Sequence, residues 1–146
     1  MSPSTSSGRT GGGAFTLPFT ALAEHIDELG HVNNAVWVRW MEQLSTAHWR
    51  ALAPPEHQAR YVWVITRHEI DYLRALGPGE TCTGRTWVGT PKGARFDRHF
   101  EFVGDTGKPH VKAVTWWAII DRTLNRPIRV PPEVAAPFLA GSRSPG

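Results

Sequence analysis

Residues 27–34 read Asp-Glu-Leu-Gly-His-Val-Asn-Asn, and from position 34 to 52 the chain continues NAVWVRWMEQLSTAHWRAL. In this second stretch Trp37, Trp40, Met41, Leu44, Ala47, His48 and Ala51 recur every three or four residues, which predicts a helix with one apolar face. Pro54-Pro55 ends it, because proline has no N–H to give and clashes with the preceding turn. The octet before the helix has the composition of a reversal, and Asn33 or Asn34 suits the N-cap. It also has chemical interest. The first N–H groups of a helix lack intrahelical acceptors and carry the positive end of its dipole, so an oxyanion that develops there is stabilised.

Working outward, Phe15 to Ala23 is apolar and β-compatible and is expected to be a first strand. Four more strands are expected from Tyr61 to Tyr72, Thr81 to Gly89, Ala94 to Val103 and His110 to Asp121. Turns at Gly77-Pro78-Gly79, Pro91-Lys92-Gly93 and Gly104-Asp105-Thr106-Gly107 separate them, so they read as successive hairpins. Phe96, Phe100 and Phe102 share one strand face while Arg95, Asp97, His99 and Glu101 share the other, so one sheet face is buried. One long helix followed by an antiparallel meander gives an α+β fold in which the helix supplies the second layer. Pro131-Pro132 and the residues to Phe138 add a short terminal helix, with proline tolerated in its first turn.

The 146 residues suit one domain, and a hydrophobic fraction of 40% with seven Trp is enough for a core. Residues 1–14 and 139–146 are poor in apolar side chains and are expected to be disordered tails around a domain over 15–138. No apolar run approaches the ~18 residues of a membrane span and no signal-peptide h-region is visible, so a cytoplasmic location is expected. Cys82 is the single cysteine, which excludes an intrachain disulfide and a multi-cysteine metal site. A net charge of +3 and a pI near 9.5 suit an anionic small molecule or an acidic carrier protein better than nucleic acid.

Asp27-x-x-Gly30-His31-Val32-Asn33-Asn34, followed by Trp37 and Trp40-Met41-Glu42, resembles the signature of hotdog-fold acyl-CoA thioesterases of the 4-hydroxybenzoyl-CoA thioesterase type. His68 to Leu73, Gly77-Pro78-Gly79-Glu80, Thr115-Trp116 and Arg126 to Pro131 are similar to later segments of that family. The resemblance spans roughly residues 15 to 138. It implies a five-stranded antiparallel sheet wrapped around the helix, and assembly as a homodimer or homotetramer with sites at the dimer interface. It also implies thioester hydrolysis without metal or organic cofactor. The substrate is then an acyl-CoA, with an acyl carrier protein as the alternative donor; a non-catalytic acyl-CoA-binding module is the rival of another class.

The resemblance also implies roles for single residues. Asp27 matches the carboxylate that attacks the thioester carbonyl or activates the water that does; an ordinary Asp is ionised at neutral pH and competent for either. Without the resemblance, the same residue reads as a turn carboxylate. The Asn34 N–H matches the donor to the thioester oxygen, and Gly30 lets the backbone come close to the reacting carbonyl. His31 orients groups, protonates the leaving thiolate or serves helix entry. Trp37, where relatives usually carry Tyr, and Trp40 wall an acyl pocket or simply pack the core. Glu42 meets the far polar end of the acyl group or is solvated. Lys92, Arg95 and Arg98 near a hairpin tip are candidates for the CoA phosphates. His25, Asp27 and His31 have the composition of a two-His, one-carboxylate metal site, but the glycine turn leaves its geometry unspecified and no metal is expected.

Overall fold

The computed structural model describes residues 8–10 and 14–141. In chain order these form β1 (Gly8–Thr10), β2 (Ala14–Thr20), a 3-10 turn (Ala23–His25), α1 (Asn34–Leu52), α2 (Pro55–Arg60) and β3 (Tyr61–Tyr72). Then follow β4 (Thr81–Val88), β5 (Arg95–Gly104), β6 (Pro109–Asp121), β7 (Arg126–Ile128) and α3 (Pro132–Gly141). All strands join one antiparallel sheet in the order β1-β2-β4-β5-β6-β3, and β7 pairs with β6.

Helix α1 has the bounds the sequence predicts, with Asn33 as its N-cap. Its inner face buries Val36, Trp37, Trp40, Met41, Leu44, Ser45 and His48. The Ser45 hydroxyl donates to the Met41 carbonyl at 2.8 Å, which satisfies a polar group inside the core. The helix lies against β2 and β4. Gly84 on β4 makes that approach possible: a Cβ there would sit 2.8 Å from Phe19, 2.9 Å from Phe102 and 3.0 Å from Leu44. One core cluster, with Phe19, Trp37, Trp40, Leu44 and Phe102, fills the space under the first half of α1. A second, with Tyr61, Val88, Phe96, Ile119 and Phe138, lies at the far end of the helix, where α3 packs.

Four differences from the sequence reading stand out. The hairpin series holds for β4, β5 and β6 only. Strand β3 pairs with β6 at the far edge, and β4 pairs with β2 instead. The connector from Leu73 to Glu80 is not a hairpin turn but a crossing, tied to the end of β2 by Ala21 N–H to the Glu80 carbonyl and Gly79 N–H to the Ala21 carbonyl, at 2.9 and 2.8 Å. Pro54-Pro55 closes α1 and also opens α2, since Pro at the first helical position forfeits no intrahelical bond. Lastly, Gly8–Thr10 pairs with Ala14–Thr16 and α3 runs on to Gly141, so these parts of the expected tails belong to the fold; the rest of those tails lies outside the described residues. No described helix is long and apolar enough to cross a membrane.

Candidate active site

The octet folds back on itself. Asn33 N–H donates to the His25 carbonyl at 3.0 Å, Ile26 bridges Val32, and Asp27 N–H donates to the His31 carbonyl at 2.9 Å. Gly30 N–H closes the tip on the Asp27 carbonyl at 3.0 Å, with Gly30 at φ +83°. Asp at the first position of a tight turn and a left-handed Gly at its end are what such a three-residue reversal requires. The Asp27 side chain joins in, its Oδ1 accepting from Leu29 N–H at 2.9 Å. Its Oδ2 has no hydrogen-bond partner among the described residues. The reversal is anchored from below, because Val32 N–H donates to the carbonyl of Leu76 in the connector, and Leu76 is buried.

Where this reversal feeds α1, Asn33 uses its side chain to accept from Ala35 N–H at 2.8 Å and its carbonyl to accept from Val36 N–H at 2.9 Å. The Asn34 N–H is left without an acceptor among the described residues. Asp27 is half-buried, whereas His31, Asn34 and Glu42 are exposed. The fold therefore holds a carboxylate and an open helix-start N–H on one short, hydrogen-bonded segment at the protein surface, an arrangement suited to a polarised carbonyl.

The remaining candidates sort differently. Trp37 and Trp40 are each only 3% exposed and meet edge-to-face at 5.2 Å, with Phe102 against Trp37, so within this chain both are core. His25 turns its Nδ1 to the Leu22 N–H at 2.9 Å and its ring edge to Trp40. Among the described residues no three His, Cys, Asp or Glu side chains form a group able to hold a metal. The Cys82 thiol is pushed up to about 12 by burial and by the nearby Asp105 carboxylate, so it stays protonated at neutral pH and is no nucleophile.

Lys92 and Arg95 bond to each other's backbone at an exposed hairpin tip, but Arg98 does not join them. Its place in β5 puts it on the inward face with Phe96 and Phe100. There its Nη1 donates to His48 Nδ1 and to Thr86 Oγ1, each at 2.9 Å. It lines a cavity of about 320 Å³ at the C-terminal end of α1, bounded also by Ser45, Trp49, Trp63, Phe96 and Phe138. Neither Asp27 nor Asn34 lines that cavity. The strand's own alternation carries the signal for Arg98, which falls between two inward phenylalanines; the cavity itself leaves no mark in the sequence.

The family model for the Thioesterase-like superfamily matches residues 21–138. The chain belongs to that superfamily. None of the curated proteins matches it. Among solved structures, a predicted thioesterase from Bacillus stearothermophilus superposes with a TM-score of 0.80 at 22% identity, covering 91% of this chain and 99% of that one. The protein SAV2348 from Staphylococcus aureus, solved in complex with CoA, gives 0.79 at 15% identity over 90% and 87% of the two chains. DHNA-CoA thioesterase from Staphylococcus aureus gives 0.73 at 16% over 86% and 88%. At these identities the likeness is one of fold, and the fold is the hotdog: a long helix on an antiparallel sheet.

Proposed function

We propose that this thioesterase-superfamily protein hydrolyses acyl-CoA thioesters to a free carboxylic acid and CoA, with Asp27 and the Asn34 N–H as its chemical centre. The observation that carries this reading is the segment from Asp27 to Asn34, which ends at the one helix-start N–H that the Asn33 cap leaves unused. A thioester oxygen that accepts from Asn34 N–H gains a donor whose dipole favours negative charge. Asp27 Oδ2, the oxygen that Leu29 does not occupy, then either adds to the carbonyl carbon or takes a proton from the water that adds. In the first route the C–S bond breaks, CoA leaves as thiolate, and water hydrolyses the mixed anhydride to release the acid and regenerate Asp27. In the second route the hydroxide adds to the carbonyl carbon, the C–S bond breaks with CoA leaving as thiolate, and the proton that Asp27 took passes on to regenerate the carboxylate as the acid is released. A thiolate leaves without prior protonation, so His31 is assigned to orientation and to proton return rather than to the rate-setting step.

CoA as the carrier accords with the exposed Lys92 and Arg95 at the β4–β5 tip, which offer cations to phosphate, and with the CoA complex of the similar Staphylococcus aureus protein. The site is expected to be completed by a second copy. Strand β3 has no partner on its outer edge among the described residues, and it exposes Val62 and Val64 at 37% and 45%. Light scattering at micromolar concentration should therefore give a dimer or larger, and a species of ~16 kDa alone would remove that assembly.

The decisive test is thiol release from a panel of acyl-CoAs. Asp27→Asn keeps the turn and its Leu29 hydrogen bond while removing the anion, so kcat should fall by at least roughly a hundredfold with the fold intact. Chelators should leave the wild-type rate unchanged. Near-wild-type turnover in Asp27→Asn would refute the assignment, and faster turnover of carrier-bound than CoA-bound acyl groups would move the substrate to an acyl carrier protein.

A further inference from the structure

Arg98 is a cation with no anion beside it among the described residues. Both hydrogens of its Nη1 are committed, one to His48 Nδ1 and one to Thr86 Oγ1. Arginine can only donate, so His48 Nδ1 is the acceptor and its ring proton sits on Nε2. The other edge of the guanidinium, Nε–H with Nη2–H, donates to nothing among the described residues, and no described carboxylate lies within ion-pair distance of Arg98. That edge is not sealed in the interior either, because the only described buried side-chain N or O atom without a partner is His57 Nδ1. Arg98 is among the residues that line the cavity.

The cavity has the chemistry of a small organic acid's complement. Trp49, Trp63, Phe96, Trp117 and Phe138 give it apolar aromatic walls, and Arg50 and Arg122 add positive charge. Asp97 is the only carboxylate among the described lining residues, and it is engaged by His99 at 2.7 Å. Burial lowers Arg98 to about 10, which still leaves it charged at neutral pH, and a buried charge without a counter-ion is unfavourable until one arrives. The free Nε/Nη2 edge is the planar fork that takes two carboxylate oxygens side by side. At about 320 Å³ the space is at the lower end for ligand pockets, enough for a medium-chain or single-ring acid and too small for CoA.

We propose that this cavity is a binding site for a hydrophobic carboxylate, whose two oxygens pair with Nε and Nη2 of Arg98 while its apolar body lies among the tryptophans. The site is separate from Asp27. Ser45, the first residue of α1 on its wall, lies about 16 Å along the helix axis from Asn34 at ~1.5 Å per residue. One carboxylate chemistry has two sources here. It belongs to a free acid, or to the far end of a long dicarboxylic acid whose other end is the thioester. The second source alone rests on the thioesterase reading.

Binding is measured on Asp27→Asn protein, so that turnover plays no part, by calorimetry and tryptophan fluorescence with octanoate and octanamide as probes. Octanoate should bind at least roughly tenfold more tightly than octanamide, and Arg98→Gln should abolish that preference. Arg98→Lys keeps the charge and loses the fork, so it should fall between the two; it also decides the matter if the Gln variant does not fold. Equal binding of acid and amide, no octanoate binding at millimolar concentration, or undiminished octanoate affinity in both variants would each overturn the site. The sources separate by kcat/KM for the mono-CoA thioesters of long α,ω-dicarboxylic acids relative to matched acyl-CoAs. A wild-type preference for the dicarboxylic esters that collapses in Arg98→Gln assigns the far carboxylate of the substrate, and a ratio near one with octanoate bound assigns the free acid. Loss of hydrolysis altogether would refute the thioesterase reading and leave the octanoate measurement standing.

Discussion

The two ends of α1 are built on opposite plans. At its N-terminus the groups of chemical interest are near water: Asp27 is half-buried, Asn34 exposed, and the segment is shaped almost wholly by backbone hydrogen bonds. At its C-terminal end the charged group is enclosed, the walls are aromatic, and the shape comes from side chains on α1, α3, β3, β5 and β6. The first end is a surface that a second chain completes in the proposed dimer. The second is a half-open cavity lined by side chains that converge from several elements of one chain. A helix terminus supplies donors that need no burial, whereas a buried cation needs a cavity to reach its ligand, and a single helix of 19 residues is long enough to serve both.

The largest expected effect lies in how the two ends tolerate truncation. Trp37 is in the filled core, touching Trp40 and Phe102, so Trp37→Ala should destabilise the protein by roughly 3–5 kcal/mol, measured by urea denaturation. Trp49, half-buried, meets Trp63 and Phe138 but also faces the cavity, so Trp49→Ala enlarges a space that already exists and should cost clearly less. Equal costs would mean that the two ends are packed alike and that the chamber is not open in solution.

A smaller effect, with a pH dependence that identifies it, is expected at the chamber end. Asp121, buried in β6, accepts from Arg60 Nη2 at 2.9 Å and Nε at 3.2 Å, and its Oδ1 accepts from Thr123 and Leu124 N–H. The hydrogen bond from Arg60 above all holds its carboxyl below the ordinary carboxylate range. A depressed folded pKa means stability that is present above the unfolded value of ~3.9 and lost as pH falls through the lower folded value. The Tm gap between wild type and Asp121→Asn should therefore be steady from neutral pH down to about 5 and shrink below about 4. Arg60 is half in solvent, so added salt should narrow the gap as well.

Much of this was legible in the residues, for reasons that differ by element. The bounds of α1 follow from a long amphipathic repeat, a side-chain cap and two prolines, all local signals, and the reversal from Asp27 to Gly30 follows from turn chemistry. Strand order was not legible. The alternation in β3 states which face is inward but not which neighbour it takes, and that choice depends on where the connector under Val32 carries the chain. Helix α2 was hidden because one proline pair both stops a helix and starts another. Gly8–Thr10 and Arg126–Ile128 are too short to carry a pattern. The inward face of Arg98 was written in its parity with Phe96 and Phe100, yet the same arginine reads as a surface cation when its neighbours Lys92 and Arg95 are counted with it.

The smallest expected effect tests the turn end most finely. Asn33→Ala removes the side-chain acceptor of Ala35 N–H and should cost about 1 kcal/mol of stability, with Asn33→Asp restoring most of it. The proposed chemistry uses the Asn34 N–H, which points the same way from the helix start but takes no bond from Asn33. Once the helix is folded, hydrolysis should therefore move by less than roughly tenfold in Asn33→Ala, far less than in Asp27→Asn. Both variants keep the backbone of the segment, so the ratio of their rates isolates the side chain that matters. If Asn33→Ala, folded as judged by its melting curve, lost as much turnover as Asp27→Asn, the carbonyl partner would be the Asn33 amide rather than the Asn34 backbone. The helix start would then be a scaffold for the site and not part of it.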